Sequence, residues 1–377
     1  METREPKKGR GVPKETREQN SIAALQSALA ARFPDQAWGG LRDELERRGF
    51  FEAGMQQQVR LMAETALALL DASRDPGDLI RALAASPAEK VRGVAPVAVR
   101  LAYADDLDRQ LEGLYFTGAL EGTWPREQSN GALHDLIIRH GVEAVLARVG
   151  GWVADLNPAI RRLVAEAFRP HGVMTAHIDE LKRDPTPLKA ILEPLLDDPS
   201  DYVRKAVANN LNDLSKSNPD VVLEWAQAWN MPDASPERQW ILARALRTLL
   251  EAGNPAALHI LGYASASSLN VVWKDGTPQT VQINQLLPFE LEIANPSDAD
   301  ARVIALLLLD EPGKGKSRRR STYQLWKGII QAGGSRRVSK RVHFVDMTTQ
   351  LKEPGTYQMI LTINGEPWEE RTMTFWR

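Results

Sequence analysis

The chain has 377 residues, of which 43% are hydrophobic and 25% are charged, and its formal net charge is -2. This composition is typical of a soluble globular protein with two or three domains. The absence of cysteine excludes disulfide bonds, thiol catalysis and cysteine-ligated zinc, and it is typical of a reducing cytoplasm. Because the net charge is close to zero, a surface that binds nucleic acid would have to be local. The longest apolar run, Val303–Leu309, is too short to span a membrane.

Residues 1–20 carry many charges and two prolines but almost nothing that could be buried. This pattern predicts a disordered tail. Glutamates dilute its basic residues, so we interpret it as a solubilising segment rather than a DNA-binding arm. Its charged beginning also gives no indication of a secretory signal.

From Ser21 to residue 265 the apolar residues recur at helical spacing, and no segment alternates with the period of a strand. Pro34 ends the first such run. Pro76, Pro87 and Pro96 divide a later stretch into short helices. We therefore predict an all-α domain over residues 21–265.

An internal repeat is visible in this helical part. Asn157–Phe168 aligns with Ser200–Leu211 at a spacing of 43 residues, which lies in the range of HEAT and armadillo repeats. Degenerate copies lie at Glu237–Leu250 and, earlier, at Lys90–Val94. The main alignment pairs Arg161 with Arg204 and Glu166 with Asn209. The repeat predicts a HEAT-like α-solenoid whose arginines can line a concave face.

After about residue 268 the pattern changes to short segments rich in β-branched and aromatic residues, separated by turns that contain glycine, proline and aspartate. The predicted strands are Leu269–Trp273, Thr280–Ile283, Phe289–Ala294, Arg302–Leu309, Tyr323–Ile330, Val338–Val345, Tyr357–Asn364 and Thr372–Trp376. Eight strands in about 110 residues favour an immunoglobulin-like sandwich over residues 268–377.

The helix predicted from Ser200 or Asp201 to the residues before Pro219 has the most informative composition. One side carries an apolar stripe at helical spacing. The other side carries the polar residues Arg204, Lys205, Asn209, Asn212, Asp213 and Lys216. Asparagine is a poor helix former, so three asparagines and an aspartate within Asn209–Asp213 indicate that these side chains are used.

The segment Val-Arg-Lys-Ala-Val-Ala-Asn-Asn-Leu-Asn-Asp-Leu-Ser-Lys, which begins at Val203, resembles the signature helix of the bacterial alkylpurine DNA glycosylases built on HEAT-like repeats. The AlkC branch of that family is the closer match. One group of this branch carries an immunoglobulin-like domain at its C-terminus, as predicted here. The resemblance covers most of Thr123–Arg377 and implies removal of alkylated bases from DNA, the first step of base excision repair.

A second motif of the branch corresponds to Ala165–Met174. Glu166, Arg169 and Pro170 agree with the family pattern, whereas Met174 replaces the tryptophan that lies against the damaged nucleotide. The alignment also puts Asn130 where the family has a further glutamate. Asp213 matches the aspartate of the signature helix.

The resemblance implies that Asp213 and Glu166 are the catalytic groups. Negative charge beside an oxocarbenium-like sugar, together with a positioned water, promotes loss of a cationic base. No lysine is an obvious nucleophile, so we expect hydrolysis without strand cleavage. Without the motif, ion pairing of Glu166 and Asp213 to Arg162 and Lys216 at the surface would be the better interpretation. The motif makes a catalytic role the better interpretation for Asp213. For Glu166 the catalytic and the ion-pair interpretations are equally favoured.

We expect the DNA contacts to come from cations and amides of the helical domain and from two basic clusters of the β domain, mainly through phosphates. The predicted DNA-binding residues are Arg161, Arg162, Arg169, Arg204, Lys205, Asn209, Asn212, Lys216, Arg244, Arg247, Arg318, Arg319, Arg320, Arg336 and Arg337. The clusters also contain Lys314, Lys316, Lys340 and Arg341. Trp124, expected in a loop, Met174 and Asn130 are candidate contacts to the lesion.

Two other functions stay open at this point. Met174 and Asn130 favour a relative that binds damaged, branched or bent DNA without catalysis. A repeat scaffold for protein partners is the third class, and it would bind independently of salt. For the glycosylase we expect duplex DNA as partner, no cofactor, no metal, a monomer, and a cytoplasmic location at the nucleoid.

Overall fold

The computed structural model describes residues 13–172, 175–274, 279–282, 285–313, 317–343, 345 and 351–377. The chain forms two compact units, Met1–Asp213 and Leu214–Arg377. Helices extend to Ile260 and strands begin at Asn270. The predicted fold class, helices followed by a β-sandwich, is confirmed. The domain boundary at residues 265–268 stays a prediction. The division between the two compact units falls between Asp213 and Leu214, near the end of one helix.

The first unit consists of helices whose apolar faces pack against those of neighbouring helices, as in the contacts of α3 with α6, α7 with α8 and α8 with α10. Their bounds are α1 (Lys14–Arg32), α2 (Leu41–Arg47), α3 (Met55–Leu69), α4 (Pro76–Ala84), α5 (Glu89–Arg92), α6 (Val94–Ala102), α7 (Leu107–Gly118), α8 (Thr123–His140), α9 (Val142–Val149), α10 (Pro158–Ala167), α11 (Asp179–Arg183), α12 (Thr186–Leu192) and α13 (Asp201–Leu214). Among the described residues, no helix is both long enough and apolar enough to cross a membrane.

The first helix begins at Lys14, so the prediction of a disordered tail is wrong for residues 14–20. The physical reason is a buried polar contact. Glu18 is 5% exposed, and its carboxylate accepts a hydrogen bond of 2.7 Å from Gln58 Nε2 on α3. Lys14 lies 3.5 Å from the same carboxylate. Residues 1–12 of the predicted tail lie outside the described residues.

A repeated arginine ties each loop to the helix that follows it. Arg161 Nη1 donates to the carbonyl oxygens of residues 155 and 156, and Arg204 Nη1 donates to those of residues 198 and 199. Arg92 makes the same pair of contacts with residues 86 and 87. The three arginines therefore occupy one repeat position, six and five residues after their acceptors. The repeats proposed from the sequence therefore share a contact, although Arg92 and Arg161 are 69 residues apart and Arg161 and Arg204 are 43 apart.

The signature helix α13 buries more than its apolar stripe. Asn210, Asn212 and Asp213 are at most 3% exposed, although the sequence predicted the last two on a polar outer face. Asn210 Nδ2 donates 2.8 Å to the carbonyl oxygen of Ala165, on α10. A neighbouring helix therefore covers part of the polar side of α13, which a helical projection of one segment cannot show.

The second unit begins with the end of α13 and continues with helices and then strands. Its further helices are α14 (Pro219–Trp229), α15 (Pro236–Ala245), α16 (Arg247–Glu251) and α17 (Pro255–Ile260). Its strands are β1 (Asn270–Trp273), β2 (Thr280–Gln282), β3 (Leu286–Ala294), β4 (Ala301–Pro312), β5 (Arg318–Ile330), β6 (Ser335–His343), β7 (Gly355–Ile363) and β8 (Glu366–Trp376). All eight predicted strands are present, and the ends of most extend beyond the predicted bounds.

The strands form two sheets with the orders β1-β3-β6 and β2-β8-β7-β4-β5. All pairs are antiparallel except β2 with β8. Alternate side chains of both sheets, including Trp273, Phe289, Tyr357 and Phe375, form one apolar core. This face-to-face packing is that of a β-sandwich.

The turn between β7 and β8 also contacts the helical segment of the second unit. Asn364 and Gly365 have positive φ angles of 47° and 78°, as a tight hairpin turn requires. Asn364 Nδ2 donates 2.8 Å to the carbonyl oxygen of Ala264. A Cβ on Gly365 would lie 2.8 Å from the Cα of Gly253, so only glycine permits this approach.

Candidate functional site

Both predicted catalytic carboxylates bind the same arginine. Arg169 Nε donates 2.7 Å to Asp213 Oδ2, and its Nη2 donates to the same oxygen. Its Nη1 donates to Glu166 Oε1. The side chains of Arg169, Glu166 and Asp213 are only 12%, 11% and 5% exposed. The first unit therefore contains a nearly buried cluster of two carboxylates and one guanidinium, which we call the carboxylate cluster.

The charges of the carboxylate cluster depend on one another. Burial by itself lowers the pKa of Arg169, but the charges of Glu166 and Asp213 outweigh burial, so this pKa lies above its ordinary value. Arg162 Nη1 lies 3.4 Å from Glu166 Oε2 and adds a second positive charge. Two cations thus balance two carboxylates. Removal of one member would leave a buried charge without its counter-ion, which is costly.

Local sequence explains how these side chains come together. The Asn157 side chain caps α10 and Pro158 occupies its first turn, which fixes where the helix begins. The helix ends at Ala167, and Arg169 lies two residues beyond that end. Its side chain can then reach back to Glu166 and across to Asp213 on α13.

A cavity of about 360 Å³ is bordered by Glu166 and Arg169 of the carboxylate cluster, whereas Asp213 is not part of its lining. It is lined by Gln56, Glu127, Gln128, Asn130, Gly131, His134, Glu166, Arg169, Gly172 and Thr175. The candidate lesion contact Asn130 is thus brought together with Glu166 and Arg169. Met174, the other such candidate in this region, lies outside the described residues. Within the described chain, no three His, Asp or Glu side chains converge as a metal site would require.

His134 contacts the backbone on both sides of Arg169. Its Nδ1 lies 2.7 Å from the carbonyl oxygen of Ala167, and its Nε2 lies 2.7 Å from that of Ala176. The ring is 3% exposed. These carbonyls belong to residues before and after Arg169, and both His134 and Arg169 line the cavity. His134 therefore helps to position the backbone around Arg169.

Trp124 lies in the first turn of α8, so its predicted place in a loop is wrong. Gly122 precedes the helix and offers no side-chain cap. Glu89 Oε1 accepts the backbone N–H of Trp124 at 2.9 Å in its place. A carboxylate from another helix therefore permits α8 to begin before Trp124, which is half-buried against Gly93.

The basic residues predicted for DNA differ strongly in their surroundings in the first unit. Arg161 is 12% exposed and binds both oxygens of Asp198, at 2.6 and 2.9 Å, besides its loop carbonyls. Arg162 is 18% exposed and lies over the Tyr202 ring at 4.2 Å. Lys205 is half-exposed and forms an ion pair of 2.7 Å with Asp201. Asn209 is half-buried on the same helix.

The remaining predicted DNA contacts belong to the second unit. Lys216 and Arg244 are exposed, and Arg244 lies 5.6 Å from the Trp240 ring; Arg247 is half-buried. In the sandwich, the exposed residues Arg318, Arg320, Arg336 and Arg337 and the half-buried Arg319 lie in β5 and β6. Lys314 and Lys316 lie outside the described residues.

Carboxylates of the sandwich already bind several of these arginines. Arg320 pairs with Asp310 across β4 and β5, at 2.5 and 2.7 Å. Arg319 donates 2.8 Å to Glu311, and Arg337 donates 2.9 Å to Glu290. Lys340 and Arg341 are exposed on β6 and contact no carboxylate in the part of the chain that is described.

Sequence reasoning missed Arg126 and His134. Both lie on α8 with Asn130, and the three are four residues apart, so they share one face of the helix. Arg126 lies over the Tyr202 ring at 5.0 Å, on which Arg162 also lies. The spacing of these three polar residues is visible in the sequence. Their role depends on contacts with other helices, which the sequence of α8 does not show.

Comparison with known proteins places the chain in a family. Residues 56–249 match the model of the DNA alkylation repair enzyme family, and residues 274–376 match the C-terminal Ig-like domain of the uncharacterised protein YhaZ. The uncharacterized protein YhaZ of Bacillus subtilis (strain 168) is 33% identical over 224 residues, which is 59% of this chain and 62% of that protein. The match thus spans less than two thirds of the relative.

A solved structure shares the whole fold. The Pseudomonas fluorescens alkylpurine DNA glycosylase AlkC, bound to DNA containing an abasic site analog, matches with a TM-score of 0.84 over 97% of this chain and 99% of that chain, at 23% identity. At this identity the likeness establishes the fold and nothing finer. Because the repair-enzyme model covers just over half of the residues, the chain belongs to the DNA alkylation repair enzyme family.

Proposed function

We propose that the protein is a monofunctional DNA glycosylase, which hydrolyses the N-glycosidic bond of cationic alkylated bases such as 3-methyladenine in duplex DNA. The observation that carries the proposal is the carboxylate cluster beside the 360 Å³ cavity. The activity named for AlkC supports it, because the two chains share one fold over their lengths.

The reaction requires little acid catalysis, because an alkylated purine that is already cationic leaves with the electron pair of its glycosidic bond. Positive charge then develops on the sugar, and a preorganised carboxylate stabilises it. The base leaves as a neutral molecule, and water adds to the sugar carbon and gives up a proton to Glu166, which passes it to solvent. Glu166 and Asp213 supply the negative charge, and Arg169 holds both side chains in place.

The expected product is an intact strand with an abasic site. Cleavage of the strand by a bifunctional enzyme needs an amine that forms a covalent bond with the sugar. Among the described residues that line the cavity, none is a lysine. We therefore propose hydrolysis alone.

DNA is held through phosphates contacted by exposed cations. Lys205 and Lys216 on the helical side and Lys340 and Arg341 on β6 are the best candidates, since their side chains are exposed. Arg161 is assigned to the repeat contact instead, because Asp198 and two carbonyls occupy its guanidinium. Phosphate contacts give affinity without sequence preference.

A binder of damaged DNA without catalysis is the second candidate. Asn130 favours it, because the amide stands in the cavity wall at a position where the family pattern has a carboxylate. Such a protein would hold methylated duplex but release nothing from it.

The proposal is tested with duplex DNA treated with dimethyl sulfate. Free bases are separated by chromatography, and strands are analysed with and without alkali. The expected result is release of 3-methyladenine and strand breaks only after alkali. Tight binding without any base release would favour the second candidate, and breaks without alkali would contradict monofunctional hydrolysis.

A further inference from the structure

A second, much smaller cavity lies behind Glu166. Its volume is about 20 Å³, and its lining includes Arg126 and Asn130 from α8 and Glu166 from α10. Asn130 and Glu166 also line the large cavity. Asn130 and Glu166 thus border both cavities. A molecule bound in the small cavity would therefore contact side chains that also line the large cavity.

Three polar atoms of this lining are buried without a hydrogen-bond partner among the described residues: Arg126 Nε, Asn130 Oδ1 and Glu166 Oε2. Arg162 Nη1 lies 3.4 Å from Glu166 Oε2 but does not have hydrogen-bond geometry. A buried polar atom that loses its bond to water and gains no other destabilises the fold. Three such atoms on residues that line one cavity indicate a ligand that satisfies all of them.

The set of atoms defines that ligand. Arg126 Nε–H can only donate, whereas Asn130 Oδ1 and a carboxylate oxygen can only accept. A metal cation is disfavoured by the N–H, and an anion by the two acceptors. Water can donate two hydrogen bonds and accept two, so it can donate to both acceptors and accept from the N–H. Turning the Asn130 amide by 180° exchanges an acceptor for a donor, and water still satisfies all three atoms.

The size of the cavity agrees with a single molecule. One buried water needs about 10–15 Å³ of space for its centre and makes about three hydrogen bonds. The cavity offers about 20 Å³ and three polar atoms. We propose that one ordered water bridges Arg126, Asn130 and Glu166, and that Arg126 and Asn130 are positioning residues for the Glu166 carboxylate.

The functional consequence rests on the proposed glycosylase activity. Arg169 binds Glu166 Oε1, and the water binds Oε2, so both oxygens are fixed. A carboxylate fixed at both oxygens cannot rotate away from a developing charge. Misplacement of a catalytic group by about 1 Å can lower a rate roughly a hundredfold. Loss of the water should therefore reduce the rate at which the bound enzyme releases the base.

The first test is a high-resolution crystal structure of the full chain and of its Asn130→Leu variant. The expected result is one ordered water within roughly 2.7–3.2 Å of all three atoms in the wild type, and its loss in the variant. An empty cavity in the wild type, or a direct bond between Arg126 Nε and Glu166, overturns the proposal. This outcome does not depend on activity.

The second test is single-turnover base release with DNA affinity measured alongside. At saturating enzyme, where a change in Kd does not affect the rate, Asn130→Leu should slow release about ten- to a hundredfold. Asn130→Asp keeps an acceptor oxygen, so it should retain the water and release base faster than the leucine variant. Equal rates in Asn130→Leu and the wild type overturn the positioning role. A wild type that releases no base refutes the glycosylase proposal, while the electron density still decides on the water.

Discussion

Arg161 lies on α10 and Arg169 follows the end of that helix, but the two arginines bind different groups. Arg161 binds Asp198, a carboxylate that is 3% exposed, and the loop before its own helix. Arg169 binds the two predicted catalytic carboxylates beside a cavity. The first arginine therefore stabilises the repeat, and the second organises the candidate site.

Replacement of Arg161 by methionine should destabilise the first unit strongly. Asp198 would be left buried and unpaired, which costs about 3–5 kcal/mol. Urea denaturation followed by circular dichroism measures the loss in the free energy of unfolding. Lys205→Met is the matched control, because its partner Asp201 is 66% exposed and such a pair contributes less than about 1 kcal/mol. Equal losses in the two variants would contradict the structural role of Arg161.

The sequence predicted the identity of the candidate carboxylates but not their burial. A projection of α13 alone separates an apolar stripe from a polar side. It cannot show that Asp213 reaches Arg169, which is 44 residues earlier in the chain. Likewise, Arg126 and Asn130 are only a polar pair on α8 until α10 brings Glu166 to them. Contacts between helices supply what the pattern of a single helix lacks.

At the scale of elements, the strand pattern was easier to predict than the strand ends. Segments rich in β-branched and aromatic residues between turns identified β4 and β5, yet β5 begins five residues before the predicted Tyr323. The added residues Arg319 and Arg320 face Glu311 and Asp310 in the register and pair with them. Cross-strand ion pairs thus extend a hairpin through residues that lie before the predicted start of the strand.

Glu311 predicts how the sandwich responds to acid. Burial raises the pKa of this carboxyl, but hydrogen bonds from Lys352, Ser321 and Arg319 outweigh burial and hold it below its ordinary value of 4.5. The folded state therefore binds a proton less readily than the unfolded chain. The stabilisation is present above about pH 4.5 and is lost as the pH falls through the lowered value.

We expect Glu311→Gln to lower the melting temperature at neutral pH and to flatten its decline between about pH 5 and pH 3. Calorimetry across this range measures both effects. Glu290→Gln serves as the control, because the Glu290 side chain is 43% exposed and its pair with Arg337 lies at the surface. If the melting temperature of Glu311→Gln declined between about pH 5 and pH 3 as steeply as that of the wild type, Glu311 would not be the group that causes the decline.

At the scale of the whole molecule, removal of the sandwich is a poor test of DNA binding. The second unit includes helices α14 to α17, and the Asn364 side chain binds the carbonyl of Ala264 just before the strands. Truncation after Ser268 would uncover that contact. Charge variants leave the fold intact and are the better experiment.

The double variant Lys340→Gln/Arg341→Gln should weaken binding to duplex DNA without sequence preference. Each lost phosphate contact reduces the slope of log affinity against log salt by about 0.9, so the slope should fall by roughly 1.8. Fluorescence anisotropy at several salt concentrations measures it.

The matched control for this variant is Lys274→Gln/Arg337→Gln in the same sandwich. These cations are paired with Glu292 and Glu290, so their loss should change the slope less. An equal change in both double variants would show that only net charge matters. A wild-type affinity that does not depend on salt would contradict phosphate binding altogether.

The most direct measurement of the central claim is the single-turnover rate of 3-methyladenine release by Asp213→Asn against that of the wild type. Asparagine keeps an oxygen for Arg169, and Glu166 still pairs with the guanidinium, so the variant should fold with lower stability and keep its DNA affinity. Circular dichroism and fluorescence anisotropy check both points before the rates are compared. The account predicts a rate roughly a hundredfold or more lower, with a smaller loss in Glu166→Gln. Release by Asp213→Asn at the wild-type rate would contradict it.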